Sequence, residues 1–443
     1  MIVGLVADAS PKHVPEEVLA RAKASLLDTI GVALAGAVEG AAHAVRQVYT
    51  AAPSGRHRGV AVLGTGERRA LLDGVVCNAF AAHALDFDDT VQGATTHPSC
   101  HLVPALLAVA EDRRPDTTVL ELLVAHIVGI EVETAIAKAV NPALARRGWH
   151  TTGVLGAIAT AAAVACLLGL PPDDVRGAIA IACSSASGLR ANFGSPVKPL
   201  HAALAARSGV EAALLAQAGL HGAHDPFDHR FGFFPAYVGD SAAVDRSWLR
   251  PADESDWQAA LEITLKPFPC CGEATALVQG AVDLSTWLGG RGIDRIQLGL
   301  TPFAREILEF DDPRSPDEAR FSGQYCVAVA LKRGGLSIGD FDADALGDAE
   351  VRALVARTVA VVDPQVTGHG GSVTVTAADG ATSTAHVRVP VGHASVGMRA
   401  ETAAAKFVDC ARGALGSSGA ERMYARIAGA DLESRAMDLL TRD

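Results

Sequence analysis

The sequence predicts a mostly α-helical protein in which a large helical domain, built from both ends of the chain, is interrupted by a smaller α+β insert. Three observations carry this. Apolar residues recur at helical spacing from about Glu16 to Leu265, short strand-like runs replace them after Lys266, and helical spacing returns after about Ala400. A length of 443 residues also exceeds what one hydrophobic core usually organises. We place the helical domain at residues 1–262 and 394–443 and the α+β unit at 263–393.

The first helix is read from Val18, Ala22, Leu26, Leu27 and Ile30, which share one face at three- and four-residue spacing. Apolar residues make up 49% of the chain, but much of the excess is alanine, which suits tightly packed helices. The uncharged run from Val154 to Pro172 is made of Ala, Gly and Thr, which drive membrane insertion weakly, so a buried core helix is expected and no membrane partner. Strands are expected at Ile293–Leu300, Thr358–Val362, Val373–Thr376 and Thr382–Val389, the last two joined as a hairpin at Asp379-Gly380. The returning helix is marked by Ala404, Phe407, Val408 and Ala411, and an amphipathic tail runs to Leu440.

A net charge of -12, without a basic stripe interleaved with aromatics, argues against nucleic acid as a partner. If the substrate is an anion, the overall field opposes its approach and cations must be focused locally. Eight cysteines are scattered with no CxxC pair, which fits a reducing compartment and a cytoplasmic location. The amino terminus lacks a cationic start and reaches Asp8 after seven residues, so no export is expected.

Three stretches rich in Asp, His, Gly and Pro lie between the helices: Asp86 to Pro104, Asn141 to Gly153, and Ser184 to His201. Ionisable loops on a rigid scaffold are where sites usually sit. In the segment His83 to Cys100, three carboxylates and two histidines surround a glycine-containing loop, a set able to orient a hydroxyl or supply a general base. A metal there would use Asp86, Asp88 or Asp89 with His97, but the spacing matches no familiar ligand pattern and no metal is expected. The plainer reading of Asp88 and Asp89 is a helix cap and solvated turn. His150 precedes Thr151 and Thr152, plausible caps of an Ala-rich helix, whose dipole favours a neutral imidazole facing a carboxylate; a satisfied core histidine is the alternative.

Lys198 lies between two prolines in a Gly- and Ser-rich stretch, pre-organised as a point charge for a carboxylate. Lys266 opens a Pro-rich turn where the domain character changes, and clefts between domains are favoured ligand sites. Cys270 and Cys271 beside it read as packing or pocket lining, because a catalytic thiol needs a positioned base. The HGGS run at His369 to Ser372 reads as a turn before the hairpin strands. No GxGxxG follows a strand, and there is no GxxxxGK[ST], no GxSxG and no cysteine spacing for zinc or iron-sulfur, so no cofactor is expected.

Taken in order, LLDTIGVALAG (Leu26 to Gly36), DFDDT with THPS, GWHTTG, SGLRANFG with KPLH, KPFPCC, ARFSGQYCVAVAL (Ala319 to Leu331) and the KF..CA at Lys406 resemble the MmgE/PrpD family nearly end to end. That family includes 2-methylcitrate dehydratases, cis-aconitate decarboxylases and iminodisuccinate epimerases. The resemblance implies a helical domain with an inserted α+β lid, a pocket between them, a homodimer, and a cofactor-independent lyase that abstracts a proton next to a carboxylate of a small di- or tricarboxylic acid. Dehydration of a 2-methylcitrate-like hydroxy acid is the first expectation, with epimerisation and decarboxylation as alternatives. A non-catalytic binding protein that keeps the fold is the alternative of a different class.

Carried over motif by motif, the catalytic positions are Asp86, His97, His150 and Tyr325, and the substrate-binding ones are Thr90, Lys198, Lys266 and Cys271. Two departures stand out. Cys271 and Thr275 replace histidines found in other members, and GHASVG at Gly392 to Gly397 replaces a GHP-type turn.

Overall fold

The structure is a computed structural model that describes residues 2–10, 14–49, 59–249 and 257–441. It is mostly α, with 60% helix against 9% strand. One helix, Thr151–Leu168, organises the larger part by packing against Ser99–Arg113, Val119–Val140, Pro172–Ser185 and Val197–Gln217. Small residues let these backbones approach closely. A Cβ on Gly209 would lie 2.4 Å from Thr160 Cβ and 2.8 Å from the Ala157 carbonyl, and one on Gly129 would lie 2.5 Å from Leu102 Cδ2. The alanine-rich composition is therefore a packing requirement. The uncharged stretch belongs to this central helix, of which 89% is buried, consistent with a core helix.

Local sequence sets the ends of these helices. Thr118 and Glu121 form a reciprocal capping box at the start of Val119–Val140, and Gly169 (φ +63°) closes Thr151–Leu168 in a left-handed cap. The late helix Ala400–Ala428 returns to pack on Glu16–Gly36, where Phe407 fills the space beside Gly31 and the Lys406 ammonium sits 2.7 Å from Asp28. One core runs from Ile2 to Leu265 and resumes at Phe407 to Leu439; a second, separate core runs from Cys270 to Val375. Chain and core thus leave the helical body and return.

The second core lies between a four-stranded sheet and the helices Thr275–Leu288 and Gly323–Arg333. The strand order is Thr358–Val362, Ile293–Leu300, Gly371–Ala377, Thr382–Val387, with the first pair parallel and the rest antiparallel. A parallel pair needs a long crossover, here supplied by helical segments including Gly323–Arg333. The hairpin turns at Asp379-Gly380, where Gly380 takes φ +83°. The strands match the expected runs except at their ends: Gly371–Ala377 is longer than Val373–Thr376, and Thr382–Val387 stops before Val389. Two further short strands, Val60–Ala61 and Arg68–Arg69, pair beside the helical body and carry too few residues for a period-two signal.

The junction between the two parts is close. Leu265 donates to the Gly392 carbonyl at 3.0 Å, and Thr90 and Thr264 exchange backbone hydrogen bonds. Gly392 has φ +87°, and a Cβ there would lie 1.9 Å from the Leu265 carbonyl oxygen. Gly392→Ala should therefore cost about 1–3 kcal/mol of stability, read as a lower urea midpoint. Activity should fall with it because Lys266 is the next residue.

Candidate active site

The site is built around one carboxylate. After the helix Leu71–His83 the chain turns sharply, with Asp86 N bonded to the His83 carbonyl and Asp86 itself in the left-handed region at φ +50°. That backbone is strained for a residue with a Cβ, and ion pairs hold it. Lys198 Nζ donates to Asp86 Oδ1 at 2.9 Å, while Lys266 Nζ donates to the Asp86 carbonyl and lies 3.3 Å from Oδ1. All three side chains are buried. Burial alone would raise the Asp86 pKa, but the Lys198 and Lys266 ammoniums hold it well below the usual carboxylate range. Burial likewise disfavours the Lys266 ammonium, and Asp86 and Asp88 outweigh it and raise its pKa.

Lys198 lies in the first turn of Val197–Gln217, not in a loop. An ammonium at that end opposes the helix dipole, and Asp86 compensates it.

Hydrogen bonds set the states of the histidines. A lysine only donates, so Lys198 Nζ, 2.9 Å from His83 Nε2, requires a lone pair there and places the His83 proton on Nδ1, which donates to Asp88 Oδ2 at 2.8 Å. Burial, only partly opposed by Asp88, lowers the His83 pKa to about 4. His97 Nδ1 also lies 3.1 Å from Asp88 Oδ2, which leaves Nε2 of a neutral His97 as an acceptor, 3.7 Å from Asp86 Oδ1. Its backbone N–H donates to Thr152 Oγ1 at 3.1 Å. His150 precedes the first turn of Thr151–Leu168 as expected, and its Nδ1 lies 3.1 Å from His201 Nδ1. Burial, then Lys198, hold the His150 pKa well below 6.5. His97 is lowered too, by burial against Asp88.

These groups border a cavity with about 690 Å³ of unfilled space, part of it open to solvent. Asp86, Thr90, His97, His150, Lys198 and Cys271 line it, and Lys266 lies behind Asp86. Two lining hydroxyls, Thr90 Oγ1 and Thr96 Oγ1, are buried without a protein partner, as expected where a ligand or water completes the bonding. Burial raises the Cys271 thiol, so this cysteine is an inert wall. His83, Asp86, Asp88 and His97 offer donor atoms within 4.8 Å of one another, but two ammoniums already occupy the Asp86 carboxylate, the reverse of what a cation site requires.

Three expectations need correction. Tyr325 is away from the cavity: its hydroxyl donates to the Asp340 carbonyl inside the lid core, because the apolar face of Gly323–Arg333 turns the ring inward. Asp88 and Asp89 are not solvated. Asp88 holds His83 and His97, while Asp89 accepts from Ser25 and Ser99, and Ser99 meets His126 at 2.9 Å. The two lysines do meet, but Asp86 shares both, so they do not create an unopposed positive pocket.

His201, Arg190 and Glu273 were missed as site residues, and His83 and Asp88 were counted in the acid-rich segment without being carried into the site. His83 and Asp88 had a signal, since they stand in the same acid-rich segment. His201 had one as well, three residues after Lys198 and so on the same helical face.

A model described as the MmgE/PrpD N-terminal domain matches residues 1–244, and one described as the MmgE/PrpD C-terminal domain matches residues 268–431. Among similar curated proteins, cis-aconitate decarboxylase of Homo sapiens is 31% identical over 86% of this chain and 81% of its own length. A cis-aconitate decarboxylase-like protein of Aspergillus oryzae is 30% identical over 87% of this chain and 85% of its own length. The 2-methylcitrate dehydratase of Salmonella typhimurium is 26% identical over 70% of this chain and 68% of its own length.

Buried neutral histidines make stability depend on pH. His83 and His201 at about 4, His126 at about 3, and the lowered His97 and His150 refuse a proton that their unfolded counterparts take up near 6.5. The unfolded chain then binds more protons, so stability falls as pH drops below 6.5, by about 1.4 kcal/mol per pH unit for each proton of difference. Asp89, raised by burial to about 7, and the raised Asp28, Glu39 and Asp317 act in the opposite sense, four acids against six histidines once the lowered His393 is counted. The melting temperature should fall from pH 7 to pH 5; a flat or rising profile would contradict the neutral cluster.

Proposed function

The chain belongs to the MmgE/PrpD family, and from that premise we propose that it is a cofactor-independent lyase. It removes a proton next to a carboxylate of a small di- or tricarboxylic acid, and its preferred reaction is dehydration of a 2-methylcitrate-like hydroxy acid. Relatives in the family carry the names of decarboxylase and dehydratase enzymes. The observation that carries the reading is the meeting of the Asp88–His97 pair with Lys198 and His150 in one cavity.

His97 is the base. Asp88 fixes its Nδ1–H and stabilises the imidazolium that forms, whereas His150 would become charged beside Lys198. His97 Nε2 takes the C–H proton, the C–H electron pair forms the C=C bond, the C–O bond breaks, and the departing hydroxide takes the proton from His97 and leaves as water. The enzyme returns to its starting protonation. Lys198 and neutral His150 donate to the carboxylate as it gains electron density, each such donor contributing about 3–4 kcal/mol by analogy with oxyanion sites. Thr90 Oγ1, which lacks a protein partner, completes the binding.

Decarboxylation is the second reading, favoured by the 31% identity to the human cis-aconitate decarboxylase. There His97 first takes a proton from solvent, CO2 leaves, and the electron pair on carbon takes that proton, so that His97 returns to its neutral form. A cytoplasmic location and a homodimer belong to the same proposal, the first supported by eight cysteines that are all free.

Purified protein in deuterated water should incorporate deuterium next to a carboxylate, or produce alkene absorbance, with 2-methylcitrate, citrate or cis-aconitate. Neither signal with any of the three would sink the proposal. His97→Gln should lower turnover about 10²- to 10⁴-fold. Because the base must be neutral and its pKa is lowered by burial, the acid limb of kcat/KM should lie below pH 6.5.

A further inference from the structure

The lid contributes an acid to the cavity that the proton-transfer scheme does not use. Glu273 lines the cavity from the short turn Gly272–Ala274 that follows Cys271, and its side chain is only 11% exposed. Its Oε1 lies 3.2 Å from Nδ1 of His369, the histidine of the HGGS turn, whose ring is 5.9 Å from that of His393. Among the described residues His369 is the hydrogen-bonding partner of this carboxylate. Cys271 presents a thiol to the cavity, and beside it stands a carboxylate backed by an imidazole.

The charges around the cavity show what this acid selects. The charged side chains among the described lining residues are two cations, Lys198 and Arg190, and two acids, Asp86 and Glu273. Lys198 is bonded to Asp86 and His83, which leaves one of its three donors for a ligand. Arg190 donates to the Ala145 carbonyl and to the exposed Glu306, each at 3.1 Å, which leaves three of its five N–H groups for a second carboxylate. A third ligand carboxylate, placed toward the lid, would meet Glu273, a like charge where solvent screening is weak. A hydroxyl or amino group in the same place donates to it.

We infer that Glu273 is a specificity residue that selects an acid carrying a hydroxyl or amino substituent at its lid end over an acid of the same skeleton without that donor. The inference rests on the proton-abstraction reading and names the substrate class within it.

Two matched pairs test it: citrate against tricarballylate, which differ by one hydroxyl, and aspartate against succinate, which differ by one amino group. Calorimetry on the full-length protein should show at least one donor-bearing acid binding ten times or more tighter than its partner. The citrate pair reports a hydroxyl preference and the aspartate pair an amino preference. Glu273→Gln should reduce that ratio to threefold or less, chiefly by improving binding of the acid without the donor. His369→Ala, which removes the hydrogen-bonding neighbour of Glu273 and leaves its carboxylate free to accept from a ligand, should widen the ratio and provides the test if Glu273→Gln lowers the melting temperature. Equal binding within both pairs by the wild-type protein, or ratios unchanged in both variants, would overturn the role of Glu273. Deuterium uptake or alkene formation by wild-type enzyme with unchanged ratios would remove this inference alone, whereas absence of both signals with every acid would remove the reading beneath it.

Discussion

Everything in the site depends on a single buried carboxylate holding two ammonium groups from distant parts of the chain. Lys198 is 112 residues from Asp86 and Lys266 is 180 residues away, the latter from the segment where the chain enters the lid. None of the three charges is tolerable alone in the interior, and removing one partner of a buried pair typically costs about 3–5 kcal/mol because the other is left uncompensated. The left-handed backbone at Asp86 is the local cost of presenting both its carboxylate and its carbonyl to the lysines. The ion pairs therefore register the lid against the helical body as well as positioning chemistry.

The second consequence is electrostatic. Once Asp86 and Asp88 offset Lys198 and Lys266, the surrounding histidines have no net field to charge them, and burial keeps them neutral. Neutral imidazoles with one nitrogen occupied by a fixed partner present the other nitrogen in a defined state. His83 is locked by Lys198 and Asp88, and His97 by Asp88. This is the preorganisation that the proposed proton transfer would require.

Close helix packing supplies the rigidity behind it. Gly153 and Gly156 let the first turns of Thr151–Leu168 pass within contact of His201 and His101, and Thr152 in the same turn receives the His97 backbone N–H. The site histidines are thus seated on the same interdigitated surfaces that form the core. A one-methylene change there would be felt at the imidazoles.

The helical body, the α+β insert and the hairpin were all legible in the sequence, because apolar spacing and turn residues report local geometry directly. The ionisable segments were legible for the same reason, since acids, histidines and prolines concentrated between apolar helices have few uses besides a site. What tertiary structure alone decided was partnership. That Asp86 would neutralise both lysines depends on atoms brought together across 112 and 180 residues, and that Asp88 and Asp89 would be sealed from water and Tyr325 would turn into the lid core depends on how the surrounding elements pack. Spacing along a chain encodes which face a side chain takes, and it carries no information about which opposite charge will arrive there from elsewhere in the fold.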